Sequence, residues 1–78
     1  MENSTRIDII LSTLNATELG TLDSVVAKFA QVQAELLELE QPELAERAAA
    51  AVLALRQGQV AEFKRLRAFL QSRVGHLR

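Results

Sequence analysis

Cysteine, tryptophan and tyrosine are absent from this 78-residue chain, and histidine and proline occur once each. Without thiols there can be no disulfide, and the usual zinc-binding patterns cannot be assembled. The lone histidine, His76, is the third residue from the C-terminal end, with no orienting carboxylate beside it in sequence. A general base needs such a partner and a pocket, and a nucleophile needs such a base. The chain therefore reads as a non-enzyme with no cofactor and no catalytic residue, and His76 as an exposed residue suited to a helix C-terminus.

Long apolar runs are also lacking. No stretch reaches the roughly 18 continuous apolar residues of a membrane span, and Arg6 and Asp8 interrupt the apolar run nearest the N-terminus. The expectation is a soluble, cytoplasmic protein with no membrane partner. Aromatics are few: Phe29, Phe63 and Phe69 are the only three, and much of the remaining apolar content is alanine. A single domain of this length buries only about 60% of its unfolded surface. Its core rarely supplies more than about 3–5 kcal/mol unless a disulfide, a metal or a second subunit helps. With the first two set aside, a homodimer is the leading expectation.

What the chain does have is charge, sharply divided. Residues 1–55 carry three basic against nine acidic side chains, a balance of −6, whereas residues 56–78 carry six basic against Glu62 alone, a balance of +5. A near-neutral total thus conceals a dipole, which suits an antiparallel helical hairpin or attraction between separate molecules.

Helical periodicity runs under both blocks. Ile7, Ile10, Leu11 and Leu14 follow the i, i+3, i+4, i+7 template, and Thr5 and Asp8 stand at capping-box spacing, so a short first helix is expected over 5–14. Asn15 with Glu18 repeats that capping signature and places the start of a central helix near 16. Over 16–40, Leu19, Leu22, Val26, Phe29 and Leu36 form an apolar arc flanked by Val25, Val32, Leu37 and Leu39. An arc that wide suits two neighbours; Gln33 falls inside it and suggests an interface with a second copy. Pro42 belongs at a helix start, and Glu43 and Glu46 favour the positive end of the new helix dipole. The third helix, 42–57, offers small residues from Ala48 to Ala51 beside Leu44, Val52 and Leu55, and Gly58 is a left-handed cap. The fourth, 59–77, aligns Val60, Phe63, Leu66, Leu70, Val74 and Leu77 on one face. The fold class is thus all-α: a single domain of three main helices plus a short N-terminal one, ending in an antiparallel hairpin.

Two binding surfaces are candidates. Phe69 falls off the apolar face of the last helix, with Arg65, Arg73 and His76 on its side. Aromatic residues ringed by arginine are frequent interface anchors, so Phe69, Arg65 and Arg73 are the candidate partner-binding residues. The alternative for Phe69 is packing against the N-terminal helix. Leu53 and Ile9 likewise point away from their helices' main faces, and Leu53 joins the partner-binding set.

The alternative function is nucleic-acid binding through Lys64, Arg65, Arg67, Arg73 and Arg78, because clustered cations contact phosphates. At about 100° per residue, however, these side chains scatter around the helix. The alanine and glycine at 54 and 58 match a helix-turn-helix turn only in part, since Lys64 and Arg67 occupy positions that would need apolar anchors. Glu35, Glu38, Glu40, Glu43 and Glu46 straddle the proline and lack a calcium-type loop. They read as a solvated acidic face, with no metal. The leading reading is a non-enzymatic protein-protein interaction module (an adaptor, small chaperone or regulator) whose partner's identity the residues do not name.

Overall fold

The computed structural model describes residues 2–18 and 21–77, and within them four α-helices follow one another with no strand. They are α1 (Glu2–Asn15), α2 (Leu22–Glu38), α3 (Pro42–Arg56) and α4 (Val60–Gly75), with a 3-10 turn at Ala16–Glu18 after the first. The all-helical expectation holds.

The N-terminal helix is not short. It starts at Glu2, so Thr5 lies inside it and does not cap it; nothing in residues 2–4 forbids helical backbone. At 14 residues it nearly equals the 15 of α3. Its end agrees with the break expected near Asn15, but the next helix does not start at 16. The helix runs through Asn15, and the buried Thr17 hydroxyl donates to the Leu14 carbonyl at 2.6 Å. That back-bond competes with regular helix and tightens the chain into the 3-10 turn. Thr21 is the true cap of α2, its Oγ1 accepting from the Ser24 amide at 3.1 Å. Leu19 and Arg78 lie outside the described residues.

Both following connections end in the same way. At the end of α2 the Gln41 amide donates to the Leu36 carbonyl at 2.9 Å and the Glu40 amide to Leu37 at 3.0 Å. At the end of α3 the Gln59 amide donates to Ala54 at 2.8 Å and the Gly58 amide to Leu55 at 3.1 Å. These are two Schellman caps, each requiring one left-handed residue. Gly58, at φ 77°, fills that position as expected; in the other turn Glu40 does so, at φ 60°. Pro42 then opens α3 in its first turn.

Each helix packs on two others around a ring. α2 lies on α3 and α3 on α4, while α1 lies against both α2 and α4. Neither diagonal pair, α1 with α3 or α2 with α4, brings its backbones together. The N-terminal helix thus fills the gap between α2 and α4 with Ile7, Ile10 and Leu14, all buried. Arg6 pairs with Glu35 of α2, and Gln71 of α4 donates to Asn15 at 2.9 Å, so polar ties reach both neighbours. Opposite, α3 contributes Leu44 and the buried alanines 45, 48, 51 and 54. Phe29, fully buried, meets Phe63 at the centre. The radius of gyration, 11.5 Å, matches the roughly 11.5 Å of a compact chain this long, so no helix stands away from the rest.

The buried stripe of α2 is Val25, Phe29, Val32 and Leu36, rotated from the arc expected around Leu22 and Val26. Leu22 is half-exposed because α2 starts there, one residue after its cap. Leu37 is also exposed. On α4 the core residues are Phe63, Leu66, Leu70 and Val74; Val60, first in its helix, stays half-exposed, and Leu77 is partly buried beyond the helix end. Among the described residues no helix is long and apolar enough to cross a membrane.

Candidate partner-binding surface

The third and fourth helices form an antiparallel pair about Gly58, and residues equally distant from that pivot face one another. Arg47 and Phe69 each stand eleven residues from it. The Arg47 guanidinium accordingly lies 5.0 Å from the centre of the Phe69 ring, and Arg73, one turn along α4, lies 5.3 Å from it. Both are within cation-π range. Phe69 is half-buried. It leans toward α3, not toward the N-terminal helix, and its outer side remains open.

Around this ring the surface is concave. A cavity of about 470 Å³ is lined by Glu43, Leu44, Glu46, Arg47, Phe69 and Arg73. A second, of about 520 Å³, continues past Glu43 and Arg73 to Ser72, His76 and Leu77. Together they make a groove between the start of α3 and the end of α4, with an aromatic floor and charges of both signs on its rims. The opposite charges of the two sequence blocks are therefore interleaved here within one molecule.

The other candidate residues are elsewhere. Arg65 is exposed and pairs with Glu62 one turn earlier on α4. Leu53, 56% exposed, does not line the Phe69 groove and sits on the outer side of α3. Lys64 and Arg67 border a third groove, of about 280 Å³, at the opposite end of the bundle beside Leu22 and Val60. Arg67 is half-buried there with its guanidinium 5.8 Å from the Phe63 ring centre. Lys64, Arg65, Arg67 and Arg73, the described members of the set considered for nucleic acid, thus stand on separate surfaces. Glu38, Glu40, Glu43 and Glu46 are exposed, and among the described residues no three acidic or histidine side chains gather as a metal cluster. His76 caps the end of α4 and is exposed.

The residue that periodicity alone did not single out is Arg47. Its signal was arithmetic: a residue as far before the glycine as Phe69 is after it. No protein-family model, curated protein or solved structure matches the chain.

Proposed function

We propose that this chain is a non-enzymatic protein-binding module that associates with itself and docks another protein in the α3/α4 groove. The observation that carries the reading is the half-buried Phe69 ring flanked by the guanidinium groups of Arg47 and Arg73 in an open, mixed-charge groove. Aromatic and arginine side chains dominate binding energy where a partner excludes water around them. Glu43 and Glu46 on the rim would set the partner's orientation, since rim charges act chiefly on encounter and register.

Co-purification from the native host, wild type against Phe69→Glu, tests this reading, with circular dichroism to show that helicity is kept. A specific partner held by the wild type and lost by the variant is the expected result. Equal recovery with both proteins would overturn the role of this groove.

A further inference from the structure

On the opposite side of α3 from Phe69 runs a second, uncovered apolar stripe. Leu22, Val26, Ala30, Gln33 and Leu37 recur along α2 at intervals of four, four, three and four residues. That spacing keeps them on one side of a helix, next to the buried stripe and not within it. Leu22 is 49% exposed, Leu37 is 54% exposed, and Val26 and Gln33 are partly so. Helix α3, packed along α2, adds Leu53, 56% exposed on its outer side. Three of the five large, exposed aliphatic side chains among the described residues thus belong to this α2/α3 pair.

We infer that this α2/α3 face binds a second copy of the chain, with the two α2 helices antiparallel. The inference rests on the self-association part of the function proposed above and specifies its surface. Two observations point to this occupant. The stripe has nearly the same spacing read in either direction, so reversing it sets Leu22 opposite Leu37, Val26 opposite Gln33 and Ala30 opposite Ala30. Two-fold symmetry requires such self-complementarity, and a small residue at the crossing lets helices approach closely. Charge selects the direction. Glu38 and Glu40 flank the Leu37 end, both exposed, whereas at the Leu22 end Lys64 of α4 lines the same groove as Leu22 and Leu55, and Arg56 closes α3 beside Leu55, against Asp23 alone. Antiparallel pairing puts each acidic end against the partner's basic end; parallel pairing would stack like charges.

Absence of cysteine makes the geometry directly testable. Single variants Leu22→Cys and Leu37→Cys, oxidised separately and as a mixture, should give the mixed disulfide and little of either homodimer. Sedimentation up to about 1 mM should show a wild-type dimer, with at least tenfold weaker association for Leu37→Glu and Leu53→Glu and tighter association for Gln33→Leu. Phe69→Glu, on the other side of α3, should leave the mass unchanged. A wild type monomeric throughout would sink both this inference and the self-association reading. A dimer indifferent to Leu37→Glu and Leu53→Glu would overturn only the surface, and homodisulfides at Leu22 would overturn the antiparallel direction.

Discussion

The rings of Phe29 and Phe63 meet with centres 5.3 Å apart and planes inclined at 55°, linking α2 and α4, whose backbones do not come together. Each ring is buried. A tilted arrangement sets the positive edge of one ring toward the negative face of the other, worth about 0.5–1.5 kcal/mol beyond burial. With only three aromatics in the chain, this pair carries a large share of the core.

Phe29→Ala should therefore cost about 3–5 kcal/mol, the range for truncating a buried phenylalanine. A core of this size has little more than that to lose. Chemical denaturation should show the variant largely unfolded in water. A fully cooperative transition with an unshifted midpoint would contradict the central place given to this pair.

The two Schellman caps predict opposite responses to glycine. Glu40 holds φ 60° with a Cβ, a conformation that costs an ordinary L-residue roughly 1–2 kcal/mol. Part of that is returned by glycine's greater loss of freedom on folding. Glu40→Gly should thus stabilise by about 0.5–1 kcal/mol, whereas Gly58→Ala should destabilise by about 1 kcal/mol. A Cβ at Gly58 would meet nothing within 4 Å, so the second effect is conformational and not steric. Paired thermal melts of the two variants give both signs in one experiment.

Arg47 and Phe69 should show energetic coupling. A double-mutant cycle of Arg47→Ala and Phe69→Ala is expected to give about 0.5–1 kcal/mol, as for a cation-π pair partly open to water. Strict additivity would mean that the observed approach contributes no energy.

Thr17→Val keeps the shape of a buried residue and removes the hydroxyl that donates to Leu14. The carbonyl then loses its partner in a dry environment, and the expected loss is about 1–2 kcal/mol. Thr17→Ser, which keeps the donor, should cost less. Equal losses in urea titrations would assign the effect to packing.

Much of the architecture is legible in the sequence. Pro42 and Gly58 each have a backbone preference strong enough to mark a boundary alone, and both boundaries stand where expected. The core positions of α1 and α4 followed from apolar spacing, because a helix with one clear stripe has one way to turn. Where a local signal was weak or broad, the structure differs. Asn15 placed the start of α2 too early; the Thr21 side chain caps that helix, and the Thr17 hydroxyl turns back on Leu14. The wide arc of α2 allowed several rotations, and packing on α3 and α1 selected Val25, Phe29, Val32 and Leu36. The left-handed Glu40 had no sequence signal, since glutamate carries no preference for that conformation.

Charge division, helical period and the scarcity of aromatics are properties of the chain as written. They determined that it is all-helical, thinly cored and polar at its two ends in opposite senses. Only tertiary structure decided that the N-terminal helix is a full member of the ring, filling the gap between α2 and α4. Only it decided that Phe69 stands beside Arg47. Periodicity states which side of a helix is apolar, and the neighbour that covers that side is chosen by how all four helices share one interior.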